Sequence, residues 1–144
     1  MSPSPRPSGA PDAVTVLVAD PHTKLRAALV AALAATRGIT VIAAIGTFDE
    51  ALAIVRLRRP DVALVDLAAL GHRGVAGLAE LRAARSRTAL LVIGVVEDPA
   101  LEHAVVQHGA VGRILKDTAE RDLARLVRDA AGRRARLRLV HPAR

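Results

Sequence analysis

The 144-residue chain has no cysteine, tryptophan or tyrosine, and its one phenylalanine is Phe48. Without cysteine it can form no disulfide, bind no metal through a thiolate and use no thiol nucleophile. That composition is compatible with a reducing compartment, and the cytoplasm is the expected location. The scarcity of aromatics argues against single-stranded nucleic acid as a partner, because its bases usually stack on aromatic side chains. Serine occurs only at positions 2, 4, 8 and 86, never in the strand-to-helix turn that presents a serine nucleophile, so that type of hydrolase is set aside. No apolar run approaches the roughly 18 residues of a membrane span. Residues 1–13 are rich in Pro, Ser and Gly and lack the apolar stretch of a signal peptide. The expectation is a soluble, unsecreted protein with a disordered N-terminal arm over residues 1–13.

About half of the chain is apolar (51%), enough for the core of one domain. The formal charge is +7, from 21 basic and 14 acidic residues. Arg133, Arg134, Arg136, Arg138 and Arg144 all fall in the final segment without an acid among them, so most of the excess charge belongs to a basic tail, residues 133–144. Such a tail can attract nucleic acid or an acidic partner by Coulomb forces, or it can be a solvated tail.

Five apolar runs alternate with five amphipathic stretches. The expected strands are Val14–Ala19, closed by Asp20-Pro21, then Ile39–Ile45, Val62–Asp66, Ala89–Val96 and Val111–Leu115. The expected helices begin with Lys24–Thr36, which places Leu25, Ala28, Leu29, Ala32 and Leu33 on one face. A second follows Thr47, whose spacing to Glu50 suits a capping box, with Ala51, Leu52, Val55 and Leu57 inward and Arg56, Arg58 and Arg59 opposing the dipole at its end. A long loop over residues 67–73 precedes a third helix from about Val75 to Arg85. Pro99 opens a fourth, through His108 to a stop at Gly109, and Thr118 caps a fifth that Gly132 ends. Strands apolar on both faces require helices on both sides. The expected fold is therefore α/β and flavodoxin-like, a five-stranded parallel sheet in the order 2-1-3-4-5 with five helices, spanning residues 14–132.

In that order the first and third strands are neighbours, so Asp20 and Asp66 meet across the crevice at the carboxyl end of the sheet, and Lys116 arrives from the fifth strand. Two carboxylates and an ammonium suit a divalent, oxygen-seeking cation and a phosphoryl group.

The segments VLVADPHTKLRAAL, RPDVALVDLAALGHRGVAGLAEL, VIGVVEDP and HGAVGRILKD together resemble the receiver domain of bacterial two-component response regulators, particularly the subfamily with a LuxR-type DNA-binding domain. The resemblance runs from about Val14 to Gly132. It implies that Asp66 is the phosphoacceptor, which takes a phosphoryl group from a kinase histidine, and that Lys116 contacts that group. It further implies that Asp20 and Asp66, with the backbone carbonyl of Ala68, hold Mg²⁺. Three positions depart from the family pattern. Pro21 stands where a second acid would ligate the metal, Gly94 where a Ser or Thr would bond the phosphoryl oxygen, and Arg113 where an aromatic ring would swing. Thr88 cannot supply the lost hydroxyl, since it lies at the other end of its strand. Mg²⁺ should bind weakly or not at all, and the hydroxyl-and-ring relay should be missing.

The expected function is thus an atypical receiver, not an enzyme, serving signalling or transcription control as an interaction module with impaired phosphorylation switching. The alternative is a working phosphoacceptor modified on Asp66 by a histidine kinase. For Asp66 itself, an ion pair with Lys116 competes with retained chemistry, and Asp20 also suits a plain turn. The family resemblance implies a homodimer contact through helix four, strand five and helix five. Arg113, Arg121, Arg125 and Arg128 there accompany Glu97, Asp98, Glu102, Asp117, Glu120, Asp122 and Asp129, a mixed-sign surface. A histidine kinase or another regulatory protein is the other expected partner. Residues 133–144 cannot build a helix-turn-helix, so no specific DNA binding by this chain alone, and no membrane association, is expected.

Two smaller groups are read as structural. Gly71, Gly74 and Gly77 lack the context of a nucleotide loop and serve the turn after Asp66. The histidines at 22, 72, 103, 108 and 141 show no i,i+4 pair; His22 and His72 read as solvated loop residues near the Asp66 crevice.

Overall fold

The computed structural model describes residues 13–94, 99–115 and 120–140. Its elements in chain order are β1 (Val14–Ala19), α1 (Thr23–Ala34), β2 (Ile39–Ile45), α2 (Phe48–Arg58), β3 (Val62–Asp66), a 3-10 segment (Leu67–Arg73), α3 (Ala76–Ala84), β4 (Ala89–Gly94), α4 (Pro99–Gln107), β5 (Ala110–Leu115) and α5 (Glu120–Val140). The strands form one parallel sheet in the order β2-β1-β3-β4-β5, the expected flavodoxin-like order.

Strand periodicity divides the core in two. Successive strand side chains point to opposite faces, so Val16, Val18, Val62, Leu64, Leu91 and Ile93 pack with Leu29 and Leu33 of α1 and Leu123 and Val127 of α5. Leu17, Ala63, Val65, Leu90 and Val92 pack on the other side with Phe48 and Val55 of α2, Leu78 and Leu81 of α3 and Val105 of α4. Each fully buried Leu or Val contributes roughly 1.5–3 kcal/mol of transfer free energy. The central strands β3 and β4 are buried along their whole length, as expected for apolar runs covered on both faces.

The helix ends follow local chemistry. Thr47 caps α2 by accepting a hydrogen bond from Glu50 N at 3.2 Å, while its hydroxyl donates to Glu50 Oε1 at 2.9 Å. Arg59 ends α2 in the left-handed region, φ 50° and ψ 58°, the one non-glycine with positive φ among the described residues.

Several expectations are corrected. Leu57 does not face inward: it is 77% exposed, because Val55 already takes the core position of that turn. Ala28 is likewise exposed, outside the Leu29–Ala32–Leu33 stripe. The stretch 67–73 is not an open loop but a run of 3-10 turns, broken at Gly71 with φ 60° and ψ −140°. Gly132 does not stop the fifth helix, which continues to Val140. A helical glycine costs about 1 kcal/mol relative to alanine, and the Arg-, Ala- and Leu-rich residues after it are good helix formers that outweigh this. The segment 133–144 is therefore helical as far as Val140. Within the described residues β4 ends at Gly94; positions 95–98, and Thr118 as a cap, lie outside them.

Candidate functional site

Parallel pairing in register brings the expected residues together. Ala19 pairs with Val65 and Asp66 with Ile93, so Asp20, Asp66 and Gly94 lie at the adjacent carboxyl ends of β1, β3 and β4. Asp20 is fully buried and Asp66 is 2% exposed.

Each carboxylate is fixed by the turn that follows it. Asp20 Oδ1 accepts a hydrogen bond from His22 N at 2.9 Å, the side-chain-to-backbone turn an aspartate makes two residues on. Asp66 Oδ1 does the same with Ala68 N at 2.8 Å. Asp20 is thus both a turn residue and a member of the site. Its carbonyl also accepts from Arg26 Nη1 at 2.8 Å, and that guanidinium lies over Gly46, where a Cβ would come within 3.1 Å of it.

The residue that sequence reasoning underrated is His22. Its Nδ1 lies 2.7 Å from Asp20 Oδ1 and 3.9 Å from Asp66 Oδ2, so it bridges the carboxylates, although about half of its side chain faces solvent. The available signal was its position two residues after Asp20, where the turn carries it back over the strand end. His72, by contrast, is an exposed residue of the 3-10 segment.

Ligand atoms of Asp20, His22 and Asp66 lie within 4.8 Å of one another. Asp20 Oδ2 is buried and receives no hydrogen bond among the described residues, a costly arrangement that a cation would relieve. The donor set fits a divalent ion, but with one acid fewer than the family pattern, because Pro21 offers no ligand, and with an imidazole added. Lys116 lies outside the described residues.

The other two departures have visible replacements. A Cβ at Gly94 would meet Leu67 Cδ1 at 3.0 Å, so the leucine after Asp66 occupies the space beside β4 where the family's hydroxyl would project. Thr88 is buried at the opposite end, its hydroxyl donating to Pro60 O at 2.7 Å. Arg113 reaches an acidic partner, with Nη2 donating to Glu102 Oε2 at 3.2 Å and linking β5 to α4; its side chain is only 10% exposed.

The glycines behave as expected. Gly71 and Gly74 adopt positive φ, 60° and 56°, and turn the segment after Asp66. Gly77 lies under Phe48, with no room for a Cβ, which would sit 3.0 Å from Phe48 Cε1.

Residues 16–128 match the family described as response regulator receiver domain. The "Probable transcriptional regulatory protein NarL" of Mycobacterium tuberculosis is 32% identical over 121 residues, covering 84% of this chain and 56% of that protein. The "DNA-binding transcriptional activator DevR/DosR" of the same organism is 31% identical over 125 residues, covering 86% of this chain and 57% of that one. The chain thus spans little more than half the length of these relatives. The solved signal receiver domain of NarL from M. tuberculosis superposes with a TM-score of 0.80 at 31% identity, covering 85% of this chain and 98% of that domain. Fold order, the placement of Asp20 and Asp66 and these likenesses converge: the chain belongs to the response regulator receiver domain family of two-component signalling.

Proposed function

We propose that this receiver is an atypical one, a non-enzymatic interaction module whose output does not depend on the usual phosphorylation switch. The observation that carries this reading is Leu67 packed into the space beside Gly94. A phosphoryl group on Asp66 would meet an aliphatic side chain where a hydroxyl is needed, and loss of one donor to an oxyanion costs about 2.7–4 kcal/mol. Two further features support the reading. Pro21 removes a metal ligand, and the Arg113–Glu102 pair occupies the place of a mobile ring, so neither the holding nor the relaying of a phosphoryl group has its ordinary parts.

Were Mg²⁺ bound, Asp20, Asp66 and the Ala68 carbonyl would hold it, and it would supply positive charge to neutralise phosphoryl oxygens. The contribution of this chain is to fix the two carboxylates through the His22 and Ala68 amides and to set the His22 imidazole against Asp20. The test is an NMR titration of the full chain with fluoroberyllate and Mg²⁺. Shifts confined to the neighbourhood of Asp66, or none, are expected; saturable shifts spreading through α4, β5 and α5 would defeat the proposal.

A second reading, a working phosphoacceptor, is favoured by the buried Oδ2 of Asp20, which has no hydrogen-bond donor among the described residues and lies beside His22 and Asp66, an arrangement that suits a cation. In that case an Asp66 carboxylate oxygen bonds to phosphorus as the phosphorus–nitrogen bond of a phosphohistidine breaks, and the carboxylate's single negative charge is replaced by a phosphoryl group carrying about −1.5 to −2. Intact mass after treatment with a small phosphodonor discriminates. A phosphoryl adduct on the wild type that Asp66→Asn abolishes would establish this second reading.

For partners, we propose a protein of the signalling pathway and pairing through α4, β5 and α5. Part of the charge on that surface is already used within the chain: Arg113 bonds Glu102, Arg125 bonds Asp122 at 3.2 Å, and Arg128 donates to the Arg37 carbonyl. Glu97, Asp98 and Asp117 lie outside the described residues. Among the described residues no helix is long and apolar enough to cross a membrane.

A further inference from the structure

At the opposite end of the sheet, α2 and α3 deliver their last turns side by side, and the chain then enters β3 and β4. A hollow of about 310 Å³ opens there, lined by Val55, Arg56, Arg59, Ala84, Arg85 and Arg87. Among the described residues, four of the six that line it are arginines and none is acidic. A neighbouring hollow shares Arg85 and Arg87 and adds Arg82. The nearby Asp61 carboxylate is engaged elsewhere: its Oδ2 accepts from Thr15 N at 2.9 Å and from Thr15 Oγ1 at 3.1 Å.

Arginines at a helix end ordinarily need no ligand, since they oppose the helix dipole. That accounts for part of the charge only. Two helix C-termini supply about −0.5 each, so the three exposed guanidiniums, Arg56, Arg59 and Arg87, leave about +2 in one concavity without counting the half-buried Arg85. Nor does helix ending explain Arg59, which holds a left-handed conformation at a position where glycine would be unstrained. Its backbone turn sets its side chain on the wall shared with Arg87.

We infer that this hollow binds a small polyanion carrying two or three linked phosphates. The volume lies at the lower end of the roughly 300–1,000 Å³ typical of small-ligand sites. Guanidinium forks match phosphate oxygens in pairs. A charge of about +2 is balanced by linked phosphates and over-compensates a single carboxylate. Duplex nucleic acid would also offer phosphates, but a concave hollow between two helix ends favours a compact ligand over an extended backbone. This site is separate from the Asp66 end, on the order of 15 Å away along β3, and does not depend on whether Asp66 is phosphorylated.

The experiment is isothermal titration of the full chain with inorganic triphosphate at low and at physiological salt, repeated with Arg59→Glu/Arg87→Glu. A charge-matched control, Lys24→Glu/Arg125→Glu, places the same change on other surfaces. All the targeted side chains are exposed, and urea denaturation checks folding. A second variant, Arg59→Lys/Arg87→Lys, keeps the charge and removes the forks. One saturable site is expected, weakened about tenfold or more by the glutamate pair, by less with the lysine pair, and about twofold or less by the control. No saturable binding, or equal loss in glutamate pair and control, overturns the inference. Binding of a 20-base-pair duplex through these arginines with no binding of triphosphate overturns it in favour of nucleic acid.

Discussion

The two ends of the sheet present opposite electrostatic designs on one scaffold. At the carboxyl end two buried carboxylates converge under a histidine, and one carboxylate oxygen lacks a donor among the described residues. At the amino end three exposed arginines, Arg56, Arg59 and Arg87, converge, and among the described residues no acid lines the hollow they share. The first end concentrates charge where water is excluded, so its cost is electrostatic. The second leaves charge in water, so repulsion is cheap, and its cost is one strained backbone turn at Arg59. Burial, more than the count of charges, decides which end is tense.

The largest effect should follow from relieving the buried end. Two ionised carboxylates 4.8 Å apart repel by about 3.5 kcal/mol at an effective dielectric constant of 20, and they lie within that separation here. Asp20→Asn keeps the turn through its amide oxygen and should raise unfolding free energy in urea by about 1–2 kcal/mol while abolishing any Mg²⁺ binding. A loss of stability would show that the end is not tense. Next, Gly94→Thr should cost about 1 kcal/mol, because Leu67 must withdraw to admit the new Cβ, and Leu67→Ala in the same chain should make room for it. At the other end, Arg59→Gly should stabilise by about 0.5–1 kcal/mol through release of the left-handed strain. Smallest of all, Arg56→Ala should change stability by no more than about 0.5 kcal/mol, as for an exposed side chain in water. If Arg56→Ala matched Asp20→Asn in size, burial would not be what separates the two ends.

The strands and their order were legible because β3 and β4 are apolar on both faces, which admits only a covered parallel sheet, and that order alone predicts the meeting of Asp20 with Asp66. His22 was not legible as a site residue. Its position depends on a side-chain-to-backbone turn that no periodicity reports. The packing of Leu67 against Gly94 joins two strands far apart in sequence, so a missing hydroxyl could be read but not the side chain that fills its space. The length of α5 is not legible from Gly132, because a glycine signals a stop only when the residues beyond it are poor helix formers. The arginine hollow is not legible in the sequence for a related reason: its members come from two helix ends, each explicable alone, and only the fold brings them to one place.

Phe48 has a practical consequence. It is the one benzenoid ring in the sequence, buried at the start of α2, stacked under Arg73 at 4.4 Å and pressed against Gly77. Arg73 closes the 3-10 segment that begins directly after Asp66, so the ring sits at the far end of that segment. With no tyrosine or tryptophan, only the five histidine rings share its aromatic region, so its proton resonances give a label-free gauge of whether that segment has shifted.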